Sequence, residues 1–73
     1  MFKWVKKYDP VMLMDAPVGL FLYDGELCMK TEYASIDGGV EAYIVSSGET
    51  FWGGVTTGWE RNHLEVIPVE VRI

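Results

Sequence analysis

The sequence is poor in the residues that build disulfides, metal sites and catalytic pairs. It contains one cysteine, Cys28, and one histidine, His63. A single cysteine excludes a disulfide within the chain, and one Cys and one His far apart do not supply the ligands of a zinc site. Nucleophilic catalysis needs a base and an orienting group beside the nucleophile, and no local motif of that kind surrounds Cys28 or the serines. We therefore expect no metal, no cofactor and no enzymatic activity.

Helix-forming residues are also scarce. The chain has no Gln, three Ala and five Leu, whereas Val, Ile and Thr together number 17 and aromatic residues number ten. This is the composition of β-strands. Eight glycines and three prolines interrupt it at short intervals, a pattern typical of short strands joined by tight turns.

No apolar run reaches the roughly 18 residues that a membrane-spanning helix needs. No apolar segment follows Lys7, as it would in a signal peptide. We therefore expect a cytoplasmic protein that does not act at a membrane.

Basic residues are few beyond the N-terminus. Residues 1–8 contain three lysines and no acid, whereas residues 9–73 contain three basic residues against 11 acidic ones, a net charge of −8. Duplex nucleic acid is bound through many Lys and Arg contacts to phosphate. The acidic body therefore argues against direct binding of duplex nucleic acid and is compatible with a basic protein partner.

The clearest structural signal is the dipeptide Asp24-Gly25 between two apolar runs, residues 19–23 and 26–31. It predicts a β-hairpin with a two-residue type I′ turn, which would place Phe21 opposite Cys28. One face of this hairpin would be wholly apolar, and we expect that face to be the core; the opposite face is mixed. The apolar face consists of Leu20, Leu22, Leu27 and Met29, and the mixed face of Phe21, Tyr23, Glu26, Cys28 and Lys30.

Further strands are predicted at residues 11–14, 40–45, 50–52 and 64–71, with one helical turn near Trp59–Asn62. Pro68 lacks an amide donor, so the last strand should be an edge or be bulged there. Five to six short antiparallel strands in one chain of this length predict an all-β fold, a small SH3-like or OB-like barrel. We expect a single domain, residues 1–73, with an N-terminal arm at residues 1–10 and the barrel at residues 11–73.

The segment from Phe51 to His63 is rich in residues that make contacts with ligands. It contains two of the three tryptophans and the single histidine. Trp and Arg dominate protein-binding hot spots, and aromatic and Arg side chains also hold nucleotides, although the tryptophans could equally plug the barrel. The predicted ligand- or partner-binding residues are Trp52, Gly53, Gly54, Trp59, Arg61, Asn62 and His63.

The apolar content is high for so small a chain. Counted with glycine and without tyrosine, it is about 55%, against roughly 45–50% in ordinary domains. A domain of this size buries only about 60% of its unfolded surface, so some apolar surface should face a partner. We expect a homo-oligomer, most simply a dimer, with an interface formed by Phe2, Trp4, Phe21 and Tyr23.

Several short motifs resemble those of small uncharacterised β-barrel proteins encoded by bacteriophages and prophages. They are the Pro-Val-Gly of residues 17–19, the Asp24-Gly25 hairpin, Glu41-Ala42-Tyr43, Ser47-Gly48-Glu49 and the Val-Ile-Pro-Val of residues 66–69. The resemblance implies a phage-encoded binding protein that acts stoichiometrically on a host or viral protein, for example as an inhibitor of host antiviral defence. The alternative is an oligomeric sponge that sequesters a small nucleotide signal of bacterial immunity.

Overall fold

The protein is a small antiparallel β-domain in a computed structural model. The structure describes residues 3–6 and 9–72, and for residues 3–6, 71 and 72 it describes the backbone only. Its strands are β1 (Lys3–Lys6), β2 (Val11–Met12), β3 (Gly19–Tyr23), β4 (Glu26–Ala34), β5 (Val40–Ile44) and β6 (Glu65–Arg72). They form one sheet in the order β1-β6-β3-β4-β5, with β2 also paired to β6. The prediction of a small all-β, barrel-like fold is confirmed, although the sheet does not close into a barrel.

The hairpin predicted around Asp24-Gly25 is confirmed residue by residue. Tyr23 pairs with Glu26, Phe21 with Cys28, and Gly19 with Lys30. Asp24 and Gly25 have φ angles of 49° and 79°, which is the left-handed backbone that a type I′ turn requires. The turn therefore sets the register of the two strands.

The face of this hairpin that forms the core is the opposite of the predicted one. Phe21 and Cys28 are 1% and 0% exposed, whereas Met29 is 46% exposed. On the predicted core face only Leu22 is buried; Leu20 and Leu27 are half-buried. The reason is that the rest of the chain packs against the Phe21 side, bringing residues from the 3-10 turn, β5, β6 and the segment after β5. They are Leu13, Ala16, Ala42, Phe51 and Val66.

The centre of the core is aromatic. The ring of Phe51 meets Phe21 and Tyr23 edge to face, at centroid distances of 5.4 and 5.3 Å. Phe21 therefore belongs to the interior of the chain and Tyr23 packs beside it. This corrects the prediction that Phe21 lies in an oligomer interface, a prediction that followed from the inverted faces.

Lys30 lies on the same buried face, where its ammonium group stabilises a chain turn. Residues Leu13–Asp15 form one turn of 3-10 helix, and Nζ of Lys30 donates to the carbonyl oxygens of Leu13, Met14 and Ala16 at 2.8, 3.2 and 2.6 Å. Burial lowers the pKa of Lys30, and nearby Asp15 acts in the opposite direction. A lysine is tolerated on the core face because three carbonyl groups replace its water.

The N-terminal segment contributes to the sheet. Within the predicted N-terminal arm at residues 1–10, Lys3–Lys6 form a strand that pairs with residues 69–72 of β6. A strand there satisfies the backbone groups along one side of β6, which an arm would leave open. Of the other predicted interface residues, Phe2 lies outside the described residues, and of Trp4 only the backbone in β1 is described.

Strand β6 is central, and its proline lies at a break in the pairing. On one side of β6 the ladder with β1 ends at Lys6–Val69 and the ladder with β2 begins at Val11–Val66, so Pro68 falls between the two. On the other side Pro68 pairs with Phe21 of β3. The expected irregularity at Pro68 is therefore present, although the strand is not an edge.

A short helix, α1 (Gly58–Asn62), follows β5 at the place where a helical turn was predicted. Its N-cap is Thr57, whose hydroxyl oxygen accepts from the amide of Glu60 at 3.1 Å, as in a capping box. In the part of the chain that the structure describes, no helix has the length and apolarity to cross a membrane.

Candidate functional site

Arg61 is the centre of the segment that was predicted to bind a ligand or partner, and it is buried. The residue is 1% exposed. Its guanidinium donates from Nε to the carbonyl oxygen of Val40 at 3.1 Å and from Nη2 to Ser35 Oγ at 2.7 Å. It also forms an ion pair with Asp37 at 3.0 Å. Its surface and donors are used within the chain, so the predicted contact between Arg61 and a ligand is wrong.

These bonds attach the loop between β4 and β5 to α1. Gly39 and Gly58 make the close approach possible: a Cβ atom built on Gly39 would lie 2.3 Å from Nη2 of Arg61 and 2.7 Å from Cα of Gly58. No side chain fits between the loop and the helix. We refer to Ser35, Asp37, Gly39, Gly58 and Arg61 together as the arginine clamp.

Asp37 carries the negative charge of the clamp. Its carboxylate accepts from Ser35 Oγ at 2.7 Å, from the amide of Gly39 at 3.0 Å and from Arg61. The pKa of Asp37 falls from 3.8 to about 2, chiefly because of the Ser35 bond, then those of Gly39 and Arg61. The clamp is therefore assembled around a charged carboxylate at neutral pH.

This lowered pKa predicts an acid dependence of stability. Since the folded pKa is below the unfolded value, the unfolded chain binds the proton more readily, and stability is lost as the pH falls from about 4 towards about 2. Urea denaturation at a series of pH values checks this. Asp37→Asn should be less stable than the wild type at neutral pH and should show a smaller loss over the same interval. Equal losses in both proteins would show that Asp37 does not link folding to protons.

Asn62 and Arg61 also close the outer edge of β5. The amide of Val40 donates to Oδ1 of Asn62 at 2.8 Å, and the carbonyl oxygen of Val40 accepts from Arg61. Further along, the amide of Phe51 donates to the carbonyl oxygen of Ala42 at 2.8 Å, and that of Ile44 to Glu49 at 2.8 Å. Side chains and a returning segment thus satisfy an edge that would otherwise attract another strand.

The two tryptophans, by contrast, are exposed. Trp52 is 53% exposed and Trp59 is 69% exposed, so neither plugs the sheet. Trp52 covers the buried guanidinium of Arg61, with its ring centroid 5.1 Å from Cζ. Trp59 stacks on the ring of His63 at a centroid distance of 4.0 Å, and Nδ1 of His63 lies 2.7 Å from the carbonyl oxygen of Trp59. We call Trp52, Trp59 and His63 the tryptophan surface.

Gly53 and Gly54 follow Trp52 in a turn with φ angles of 67° and 75°. A Cβ atom on Gly53 would clash with Cδ1 of Leu64, so a side chain at this position would displace that leucine. The carbonyl oxygen of Gly53 accepts from the hydroxyl of Tyr23 at 3.4 Å. The glycines therefore position Trp52.

Sequence reasoning missed Ser35, Asp37, Gly39 and Gly58. Residues 35–39 had the composition of a flexible loop, whereas the Ser and Asp side chains there bond to the loop backbone, as such residues do in tight turns. The polar Ser-x-Asp-Gly-Gly pattern was a signal for an ordered turn. Nothing in the sequence indicated that Arg61, 24 residues beyond Asp37, was its partner.

The remaining reactive groups are isolated. Cys28 is 0% exposed, and burial, with a smaller effect of Glu26, raises the pKa of its thiol to about 11. A thiol held protonated in the core is a poor nucleophile. Among the described residues, no three His, Cys, Asp or Glu side chains gather in a way that could hold a metal ion.

Comparison of the chain with protein-family models, with curated proteins and with solved structures gave no match.

Proposed function

We propose that this protein is a non-enzymatic binding module that docks on another protein through the tryptophan surface. The observation that carries the proposal is that Trp52 and Trp59 are 53% and 69% exposed, while Arg61 beneath Trp52 is buried and bonded within the chain. Exposed tryptophans on a rigid base are the side chains most often found at the centre of protein-binding hot spots. They bury a large area and lose little rotamer freedom on binding.

The arginine clamp supplies the rigid base. Trp59 belongs to α1, which Arg61 ties to the loop between β4 and β5, and Trp52 lies on the Arg61 guanidinium itself. Both indole rings are therefore held before any partner arrives, which lowers the entropy lost on binding. The acidic body around them, −8 over residues 9–73, favours a partner with a basic surface.

The nucleotide alternative receives less support from the geometry. It needs a cation free to reach phosphate, and the one arginine of the segment, Arg61, is 1% exposed and bonded within the chain; the segment contains no lysine. The two tryptophans stand on an exposed surface, whereas the groove in the described part of the chain lies elsewhere, beside Tyr33. The resemblance to phage-encoded barrels supports a host or viral protein as the partner, with inhibition of host defence as the outcome.

Trp59→Ala tests the proposal. A partner captured by the wild type is first identified and purified, and its affinity for each variant is then measured by calorimetry. We expect Trp59→Ala and Trp52→Ala each to weaken binding about 30-fold or more, as loss of a hot-spot residue of ~2 kcal/mol does. Trp59→Ala should leave the melting temperature nearly unchanged, because the ring is 69% exposed.

Val45→Ala is the matched control, since Val45 is 50% exposed and belongs neither to the arginine clamp nor to the tryptophan surface. It should leave affinity unchanged. Unchanged affinity in both tryptophan variants would refute the proposed surface. Titration of the wild type with a panel of cyclic and linear nucleotides tests the alternative, sequestration of a nucleotide. Tight binding of one of these nucleotides would support that alternative.

A further inference from the structure

Strand β4 is longer than the strand beside it. Its pairing with β3 ends at Gly19–Lys30, but β4 continues to Ala34. On the β5 side the pairing shifts between Lys30 and Ala34. At this irregularity the side chain of Thr31 makes the hydrogen bonds: its hydroxyl donates to the carbonyl oxygen of Glu41 at 2.8 Å and accepts from the amide of Tyr33 at 3.2 Å. On the β3 side, no strand among the described residues pairs with Thr31–Ala34.

The backbone groups on this open side can be assigned from the hairpin. The residues that flank a two-residue turn exchange both hydrogen bonds, so Glu26, Cys28 and Lys30 point their amides towards β3. The alternation continues to Glu32 and Ala34. Val40 gives an independent check, because it pairs with Ala34 but directs its own amide and carbonyl to Asn62 and Arg61 on the far side. The backbone amide and carbonyl of Ala34 therefore point away from β5, towards the open side of β4.

Exposed apolar side chains surround this open edge. Ile36, Tyr33 and Val18 are 107%, 64% and 62% exposed, and among the large apolar side chains described only Trp59 has a comparable exposure. Val18 and Tyr33 line a groove of about 340 Å³ that runs along the open segment. A free strand edge with apolar flanks is the feature that natural sheets use to add a strand.

We propose that a second copy of this chain occupies the edge, with the two β4 segments antiparallel and Tyr33 opposite Tyr33. In this register Glu32 of each copy pairs with Ala34 of the other, and the four backbone groups of each copy are satisfied by four hydrogen bonds. Glu32 meets an alanine, so the like charges are not directly opposed. Each chain turns away at Ser35 towards its own β5, which leaves room for the β3 strand of the other.

The second copy is favoured over an unrelated strand because the segment is complementary to itself. A self-pairing edge also accounts for the apolar content, since the dimer would cover Val18, Tyr33 and Ile36 from both copies. The outer edge of β5 is already closed by Asn62, Arg61 and residues 49–51, so it does not compete for the same contact.

Disulfide trapping tests both the dimer and its register. In the proposed arrangement the Tyr33 pair is a non-hydrogen-bonded pair with its Cα atoms about 4.5 Å apart, within disulfide range. Tyr33→Cys should therefore form a disulfide-linked dimer under mild oxidation. Glu32→Cys is the matched control: residues 32 of the two copies are diagonal neighbours, beyond about 7 Å, and should link far less. Cys28 is 0% exposed and will not interfere.

Light scattering supplies the second measurement. The wild type should have twice the mass of the 8.3 kDa chain at micromolar concentration. Ala34→Pro removes an amide that faces the second copy, so it should raise the dimer dissociation constant at least tenfold and keep the circular dichroism of the folded chain. Val18→Glu, at a side chain 62% exposed, is the alternative variant if the proline disturbs β4.

A monomeric wild type would overturn the proposal, and so would equal disulfide formation by Tyr33→Cys and Glu32→Cys. If the wild type is monomeric, the open edge of β4 would be available to a strand of another protein. Trp59→Ala should not change the linking of Tyr33→Cys. Failure of the dimer can therefore be told apart from failure of the tryptophan surface.

Discussion

Replacing Arg61 with methionine should leave the protein unfolded or barely folded at 25 °C. Methionine fills part of the space but donates no hydrogen bond, so the carbonyl oxygen of Val40 loses its donor and the hydroxyl of Ser35 loses one of its bonds. A buried acceptor left without a donor costs about 1–3 kcal/mol, and part of the packing of a side chain that is 1% exposed is lost as well. A domain of this size has only about 3–5 kcal/mol to lose. Urea denaturation followed by tryptophan fluorescence measures the change.

Arg61→Lys and Trp59→Ala are the controls for that result. Lysine keeps the positive charge but lacks the planar fork that reaches Asp37, Ser35 and Val40 together, so it should be only partly effective. Trp59→Ala alters the same helix at an exposed position and should be nearly neutral in stability. If Arg61→Met unfolds within about 1 kcal/mol of the wild type, Arg61 is not what holds the loop to α1.

Phe21→Ala and Met29→Ala should differ strongly in stability, although both change large apolar residues of one hairpin. Phe21 is 1% exposed and contacts Phe51, so its truncation should cost about 3–5 kcal/mol in the free energy of unfolding. Met29 is 46% exposed, and its truncation should cost less than about 1 kcal/mol. Thermal or urea denaturation of the two variants gives the comparison.

The reverse order of the two effects would mean that the Leu20 and Met29 face is the interior after all. Leu22→Ala adds a third point, because Leu22 is 8% exposed although it lies on the outer face. It should fall between the other two variants. The series therefore measures which face of the hairpin supports the fold.

Local chemistry made a large part of the fold predictable. The register from Gly19–Lys30 to Tyr23–Glu26 followed from two residues that tolerate positive φ, and α1 appeared where a helical turn was expected. The strands at residues 40–45 and 64–71 were found to within one residue at each end. In each of these elements a turn or a strand pattern acts over a few residues, and the sequence carries that information directly.

The choice of interior face could not be obtained in the same way. It depends on Phe51, Leu13 and Val66, which reach the hairpin only after the whole sheet has formed. The hairpin by itself favoured the Leu20 face, since that face has no polar residue. Lys30 made the true core face look exposed, but carbonyl groups of the 3-10 turn satisfy its charge.

The role of Arg61 was unpredictable for a related reason. A buried arginine is rare unless it is paired, and its partners Ser35 and Asp37 lie 26 and 24 residues away. Its neighbours Trp59 and His63 are exposed or half-buried and resemble a binding site. The same segment therefore combines one structural residue with a surface available to a partner, and residue type alone does not separate them.

The hairpin turn decides more than the direction of the chain. Through backbone angles of 49° and 79°, Asp24 and Gly25 also fix which side chains share a face, and they set Phe21 together with Cys28. A shift of one residue in the register would mix the two sets of side chains. Since a hairpin forms within microseconds, both faces exist before the distant strands arrive. The turn does not choose between them: the choice is made later, when Phe51 and its neighbours in the core pack against the Phe21 side.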